Sequence, residues 1–258
     1  MKLYTNNPTQ FPLDGLHKMT VTGSFWRDGE DKHELPDRDY FLKKCSGYGP
    51  LCINVEHWSW DIRYYPYATV DESLRKLSTL TRWATDAFSG RVISHYRIFP
   101  LREYWVPQRS KGLHAVAWYR WRWANGYTKR RRLPNGQYDS VGLADLCHAT
   151  MPSLYSFYEN REGWVRHAEA NIKEARKYGK PVIPFLWPRY HDRARPSLRL
   201  QPIPGDYWRL QLETLKSLGV KEVCIWDQAA FYNRKLNLPL WTADDEWVQA
   251  TEEYQDAN

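Results

Sequence analysis

The stretch Leu51-Cys52-Ile53-Asn54-Val55-Glu56-His57-Trp58 decides the fold, and the rest of the chain is arranged around it. Gly49 and Pro50 precede it, and its apolar start predicts a buried β-strand that ends in polar and aromatic residues. Side chains alternate between faces along a strand, so Asn54 and Glu56 project to the same side, about 7 Å apart at the backbone. An amide and a carboxyl at a strand end can form a catalytic pair. The alternative is that Glu56 simply ends the strand in water.

The segments around this strand alternate between strand-like and helix-like patterns. Apolar runs predict strands at 19–26, 51–57, 91–99, 182–187 and 220–226, and a strand with its exit loop over 143–154. Helical periodicity and terminal glycines predict helices at 39–44, 69–90 (with a capping box at Thr69 and Glu72), 165–179, 205–219 and 244–254. Residues 101–123 fit either helix or strand, and residues 129–138 predict an exposed hairpin.

This alternation predicts an α/β fold with a parallel sheet, because the strands read as buried on both faces. Neither GxGxxG nor GxxxxGK[ST] occurs, which disfavours a nucleotide-binding sheet. The length of 258 residues suits one large domain. We therefore expect a distorted (β/α) TIM-like barrel of about seven strands, forming a single domain over residues 1–258.

Composition limits the class of partner. Aromatic residues make up 16% of the chain, including 14 Trp, more than a core needs, and flat aromatic faces in a groove suit sugar rings. The net charge of +7 favours anionic partners. The basic run Lys129–Arg132 lacks interleaved aromatic residues, so no nucleic-acid partner is predicted. The four cysteines show no CxxC spacing, and we expect neither a disulfide framework nor a metal or redox site.

No signal peptide or membrane-spanning run is visible in the sequence. The expectation is a soluble chain that is cytoplasmic or released by a non-classical route. Its oligomeric state is left open.

Barrel active sites lie at the carboxyl ends of the strands, where polar and aromatic residues cluster in this sequence. The residues at these ends are Trp26, Glu56, Tyr96, Tyr155, Trp187, Tyr190, Trp226 and Asp227. Taken singly, the aromatic members can equally be core residues. Three histidines, His57, His95 and His148, fall on different elements, and their spacing supports no metal site.

Five segments, in the same order along the chain, resemble the hyaluronidase family of glycoside hydrolases. They are Ile53–Trp58, Tyr96–Pro100, Thr150–Tyr155, Pro181–Tyr190 and Gly219–Trp226. The sequence departs from the family at Asn54, where the family has Asp, and the family's disulfide cysteines are not apparent. Residues 27–49 also look too short and polar to hold the second strand. An Asn-x-Glu pair additionally resembles some endo-β-N-acetylglucosaminidases.

The resemblance implies a retaining endo-β-N-acetylhexosaminidase that cleaves an acetamido-sugar polymer by substrate-assisted catalysis, without a cofactor. Glu56 would be the general acid, and burial beside apolar and aromatic groups would favour its protonated form. Asn54 would hold the acetamido group. The substrate-binding residues implied are Tyr96, Tyr155, Trp226, Trp58, Tyr190 and Asp227. The alternatives are a barrel glycosidase without acetamido participation, with Asp227 as a second carboxylate, and an inactive glycan-binding barrel. The partner expected in each case is a polysaccharide or other glycan, and the net charge favours an anionic one.

Overall fold

The computed structural model describes residues 1–6, 11–101, 120–128, 142–227 and 240–257. The strands are β1 (Lys2–Thr5), β2 (His17–Lys18), β3 (Thr20–Thr22), β4 (Leu51–Ile53), β5 (Ile93–His95), β6 (Phe185–Leu186) and β7 (Glu222–Ile225). The helices are α1 (Arg38–Cys45), α2 (Tyr67–Ala87), α3 (described over 120–128), α4 (Leu143–Leu146), α5 (Arg161–Arg176), α6 (Gly205–Ser217) and α7 (Glu246–Asp256).

The chain divides into two compact units. The Glu56 unit comprises Thr20–Pro152 and Lys173–Pro181. The Trp226 unit comprises Met1–Met19, Ser153–Ile172 and Val182–Asn258. Each unit contains one sheet of parallel strands, so the predicted α/β class is confirmed. Closure of the strands into one barrel, and the single domain, stay predictions.

The Glu56 unit is built on a three-stranded sheet in the order β3-β4-β5. The central strand β4 is buried along its length, and Cys52 lies opposite Val21 on one side and Ser94 on the other. Asn54 continues the ladder by one bond, since its N–H donates to the carbonyl of Thr22 at 2.8 Å. Strand β4 ends at Ile53. The predicted strand over 51–57 was therefore too long, and Glu56 lies in the connection that follows.

Two helices cover apolar surface in this unit. Asp37 caps α1 by accepting from the backbone N–H of Tyr40 at 2.8 Å. Helix α2 buries one face, formed by Val70, Leu74, Leu77, Leu80 and Ala84. The predicted capping box at Thr69 was wrong, because α2 begins at Tyr67 after Pro66. Pro66 is the N-cap residue and has no side-chain acceptor, so the helix begins without a side-chain cap.

The prediction of a strand in the segment 143–154 was also wrong for the first part of that segment. Leu143–Leu146 forms the short helix α4, in which the Asp145 carboxylate accepts from the N–H of Gly142 at 2.8 Å. Within the Glu56 unit, Met151 then forms a single parallel bridge with Tyr96. A short apolar run fits a buried helix turn as well as a strand, so the sequence pattern could not separate the two.

The Trp226 unit is built on a four-stranded sheet in the order β2-β1-β7-β6. Strand β7 pairs with both β1 and β6, and Ser153 bridges to Phe185. The sequence prediction missed β1 and β2. The short segment Lys2–Thr5 carries little pattern of its own, and its strand conformation comes from pairing with β7.

Helices α6 and α7 of this unit pack through tryptophans. The rings of Trp208 and Trp247 meet edge to face at 5.6 Å, and Trp208 Nε1 donates to Thr251 Oγ1 at 2.8 Å. Both indoles are fully buried, as is Trp121 in the other unit. Part of the high tryptophan content therefore serves the cores.

All four cysteines are buried, and none forms a disulfide. The predicted hairpin at 129–138 lies outside the described residues, as does most of 101–123, whose end at 120–123 belongs to α3. Within the described chain, no helix has the length and apolar character needed to cross a membrane.

We predict that Gly23→Ala destabilises the Glu56 unit by about 1–3 kcal/mol, because a Cβ at Gly23 would lie 2.3 Å from the backbone oxygen of Asn54. Gly126→Ala is the matched control. Gly126 lies in α3 with no described atom within 4 Å of its Cβ position, so we expect a gain of about 0.5–1 kcal/mol. Urea unfolding of both variants measures the two effects. Equal stability of Gly23→Ala and wild type would contradict the close approach.

Candidate active site

The side chains of Asn54 and Glu56 meet just beyond the carboxyl end of β4. Asn54 Nδ2 donates to Glu56 Oε1 at 3.1 Å. This contact shows that the two side chains project to the same side. The amide nitrogen must face Glu56 when Glu56 is ionised, because a carboxylate can only accept. The other amide atom, Oδ1, is buried and has no hydrogen-bond partner among the described residues.

The second oxygen of Glu56 is held by an arginine from the neighbouring strand. Arg97 Nη2 lies 2.8 Å from Glu56 Oε2. Arg97 follows Tyr96 just past the end of β5, and β4 and β5 are parallel, so their carboxyl ends lie at the same edge of the sheet. Arg97 was not among the site residues predicted from the sequence, although it lies in the Tyr96–Pro100 segment singled out there.

A tryptophan supports both members of this ion pair. Trp60 Nε1 donates to the carbonyl of Val55 at 3.1 Å and so fixes the backbone between Asn54 and Glu56. The Arg97 guanidinium lies over the Trp60 ring at 5.2 Å. One indole therefore braces the chain that carries the carboxylate and the cation that pairs with it.

The expected apolar enclosure of Glu56 is wrong. Its side chain is 49% exposed, and its partners are a guanidinium and an amide. The buried groups are instead Arg97, with a side chain 9% exposed, and the neighbouring aromatic rings. A charge-assisted bond from a guanidinium stabilises a carboxylate in its ionised form.

Three other candidates of the Glu56 unit are buried. Trp58 is 5% exposed, its Nε1 donates to the carbonyl of Lys32 at 2.8 Å, and its ring packs edge to face on Trp26 at 5.8 Å. Tyr96 is 8% exposed, and its ring lies 5.9 Å from the Arg97 guanidinium. Tyr96 thus lies beside the Glu56 pair, whereas Trp58 and Trp26 pack in the core next to it.

In the Trp226 unit, two predicted residues stack on each other. The rings of Tyr155 and Trp226 are 5.7 Å apart and nearly parallel, at 25°. Trp187 closes the cluster edge to face, 4.9 Å from Trp226. Trp226 is half-buried at the end of β7, whereas Tyr155 and Trp187 are buried. This unit therefore presents one face of an aromatic stack at the carboxyl edge of its sheet.

Asp227 and Tyr190 lie deeper in the Trp226 unit. Asp227 is 2% exposed, and its two carboxylate oxygens accept from the indole N–H groups of Trp187, at 2.8 Å, and Trp241. Tyr190 is 3% exposed, and burial raises the pKa of its hydroxyl to about 12. Both geometries favour a structural contribution.

A buried cation accompanies Asp227. The Arg189 guanidinium lies 3.7 Å over the ring of Trp241. Burial lowers the pKa of Arg189, and the negative charges of Asp227 and Asp245 oppose that shift. Asp227 therefore compensates a charge that is costly to bury alone.

The described part of the chain contains no group of three or more His, Cys, Asp or Glu side chains placed to hold a metal. His57 Nε2 contacts the carbonyl of Lys32 at 2.6 Å, and His148 Nδ1 accepts from the N–H of Ile93 at 3.1 Å. His95 is fully buried, contacts Thr81 Oγ1 at 2.8 Å, and has its pKa lowered by burial to about 3. The three histidines thus have separate local contacts.

The α/β fold with parallel sheets is also found in solved structures. A monoclinic crystal structure of bee venom hyaluronidase matches with a TM-score of 0.60 at 13% identity, covering 100% of this chain and 98% of that one. Bee venom hyaluronidase in complex with a hyaluronic acid tetramer matches with a TM-score of 0.55 at 13% identity, covering 99% and 95%. No family model and no curated protein sequence matches the chain. The fold is therefore similar to that of bee venom hyaluronidase along the whole chain.

We predict that Asp227→Asn lowers the free energy of unfolding by about 1–3 kcal/mol, because an amide cannot accept from both indoles and no longer offsets Arg189. Asp244→Asn, at an exposed position, is the control and should leave stability unchanged. Thermal and urea unfolding report the difference. If Asp227→Asn melted like wild type, the buried carboxylate would have no structural contribution.

Proposed function

We propose that the chain is a glycoside hydrolase, a retaining endo-β-N-acetylhexosaminidase that acts on an acetamido-sugar polymer by substrate-assisted catalysis. The observation that carries this proposal is the full-length fold likeness to bee venom hyaluronidase, one structure of which holds a hyaluronic acid tetramer. The position of Glu56, just past the carboxyl end of a central parallel strand, supports it. The fold proposed with this function is the distorted (β/α) barrel, as one domain over residues 1–258.

Glu56 is proposed as the acid and base of both steps. In the first step its carboxyl proton goes to the leaving glycosidic oxygen, while the acetamido oxygen of the substrate attacks the anomeric carbon and the glycosidic bond breaks. In the second step the Glu56 carboxylate takes a proton from water, and the water oxygen attacks the same carbon and opens the cyclised intermediate. Two inversions at that carbon give net retention.

Asn54 is proposed to position both Glu56 and the substrate. Its Nδ2 already donates to Glu56 Oε1 at 3.1 Å. Its Oδ1 has no hydrogen-bond partner in the described chain, and a buried acceptor without a donor is costly. A substrate acetamido N–H that reached this oxygen would satisfy it and would hold the group for attack.

The remaining predicted residues are proposed either to contact the glycan or to support a residue that does. Each unit is described separately. Beside the Glu56 pair, Tyr96 is a proposed donor to the acetamido group and Trp58 a proposed support. In the Trp226 unit, the Tyr155–Trp226 stack is proposed to contact a sugar ring of the glycan. Tyr190 and Asp227, which are buried in the same unit, are proposed to support that stack. The proposed partner is a glycan, and the net charge of +7 favours an anionic one.

A second candidate function is glycan binding without hydrolysis. The half-exposed, ion-paired state of Glu56 favours this reading, since an ionised carboxylate has no proton to give to a leaving group. An ordinary two-carboxylate glycosidase that uses Asp227 gains no such support, because both Asp227 oxygens already accept from indoles.

We expect Glu56→Gln to abolish hydrolysis of an acetamido-sugar polymer, lowering the rate by about 10² to 10⁴ while the fold is retained. Glutamine keeps the shape of the side chain and has no proton to transfer. The measurement is reducing-end release by the purified variant, with circular dichroism to check the fold. Glu169→Gln, at an exposed position of α5, is the matched control. Wild-type turnover by Glu56→Gln would overturn the proposal, and binding without turnover by the wild type would favour the second candidate.

We expect Asn54→Asp to retain activity and Asn54→Ala to lose about 10²-fold or more in kcat/KM, because alanine cannot position either partner. The aspartate keeps an acceptor at this position, so it can still hold a substrate acetamido N–H. Equal losses in the two variants, or no loss in either, would show that Asn54 does not position an acetamido group.

A further inference from the structure

Arg97 is a buried cation whose partner is a half-exposed carboxylate. The Arg97 side chain is 9% exposed and that of Glu56 is 49% exposed. A buried guanidinium is destabilising unless it is paired. An ionised Glu56 supplies a charge that pairs with it, so the ion pair stabilises the arginine as well as the carboxylate.

The backbone and the aromatic neighbours hold Arg97 in place. Its φ of 54° lies in the left-handed region, which a residue other than glycine rarely adopts. Its N–H donates to the carbonyl of Met151 at 2.9 Å, which fixes this conformation. The guanidinium lies 5.2 Å from the ring of Trp60 and 5.9 Å from that of Tyr96. Such strained backbone positions are found mainly at functional sites.

The two oxygens of Glu56 are held by different donors. Asn54 donates to Oε1 and Arg97 to Oε2, while Trp60 fixes the carbonyl of Val55 between Asn54 and Glu56. The carboxyl group is therefore fixed in position and in plane, although half of its side chain faces solvent. This arrangement differs from a surface salt bridge between two mobile side chains.

Two titratable groups close to Glu56 along the chain are neutral. Cys52 interacts electrostatically with Glu56, and burial raises the pKa of its thiol, so it stays uncharged. The adjacent His57 also has its pKa lowered by burial, which keeps it neutral at neutral pH. Among these neighbours Arg97 supplies the fixed charge that acts on Glu56.

We propose that Arg97 is a positioning residue for Glu56, which orients the carboxyl group together with Asn54 for proton transfer to the substrate. This inference rests on the proposed function of Glu56 as the general acid. A general acid must lie within hydrogen-bond reach of the oxygen that it protonates, so a carboxyl group that is free to rotate loses rate even while it holds its proton.

The first test follows the Glu56 carboxyl group directly and needs no catalytic activity. The carboxyl carbons are labelled with ¹³C and observed by NMR, and Glu56→Gln identifies the Glu56 signal. We expect Arg97→Met, which keeps an apolar stem and removes the guanidinium, to increase the motion of the Glu56 carboxyl group, measured by ¹³C relaxation. Arg97→Lys, which keeps the charge without the planar fork, should restore part of the wild-type behaviour.

Arg63→Met is the matched control. Arg63 is a similarly buried arginine of the same unit, with a side chain 7% exposed, and it pairs with Asp61 at 2.6 Å. Its loss should lower stability without changing the motion of the Glu56 carboxyl group. If Arg97→Met fails to fold, the wild-type chain and Glu56→Gln decide: the Arg97 side-chain N–H groups should exchange with solvent slowly in the wild type and faster in Glu56→Gln. Unchanged Glu56 relaxation in Arg97→Met, or Arg97 exchange that is the same in the wild type and in Glu56→Gln, would overturn the proposal.

The second test links this effect to catalysis. On an acetamido-sugar polymer, we expect Arg97→Met to lower kcat by about 10²-fold with little change in KM, because Glu56 is no longer oriented for proton transfer, and we expect Arg97→Lys to recover part of that loss. A loss confined to KM, or an equal loss in Arg97→Met and Arg97→Lys, would overturn the proposal. If the wild type hydrolyses no such polymer at any pH, the proposed function fails, and the relaxation measurement still reports on Arg97 and Glu56.

Discussion

Parallel pairing of β4 with β3 and β5 is the constraint on which the Glu56 unit depends. Strand β4 is buried on both faces, so its backbone groups need partners on both sides, and the neighbouring strands supply them. The same direction of all three strands places their carboxyl ends at one edge. Asn54 and Tyr96, which follow β4 and β5, are neighbours for this reason. The chemistry of the candidate site is thus a consequence of how a buried strand satisfies its hydrogen bonds.

Each unit buries one arginine against a tryptophan ring and beside a carboxylate. Arg97 lies 5.2 Å from Trp60 and pairs with Glu56, and Arg189 lies 3.7 Å from Trp241 near Asp227. The difference lies in the carboxylate. Asp227 is 2% exposed, whereas the Glu56 side chain is 49% exposed. The arginine, tryptophan and carboxylate are therefore all buried in the Trp226 unit, whereas in the Glu56 unit the carboxylate is half-exposed to solvent.

The sequence predicted elements well where a periodic pattern and a terminal glycine coincided. Helices α5 and α6 are examples, and the same-side projection of Asn54 and Glu56 followed from strand alternation. It predicted poorly where tertiary contacts decide. Residues 143–146 are helical despite an apolar run, and β1 exists because β7 pairs with it. Arg97 was missed for the same reason, since its partner is distant in sequence and close only across the sheet.

Four buried thiols without a disulfide have a consequence for handling the protein. Burial raises the pKa of Cys45 to about 12, and it raises those of Cys52 and Cys147 as well, so little reactive thiolate forms in the native state. The native chain should therefore keep its structure in reducing and oxidising surroundings alike. Once denatured, the same chain exposes four reactive sulfurs, and its recovery from denaturant will depend on the redox buffer.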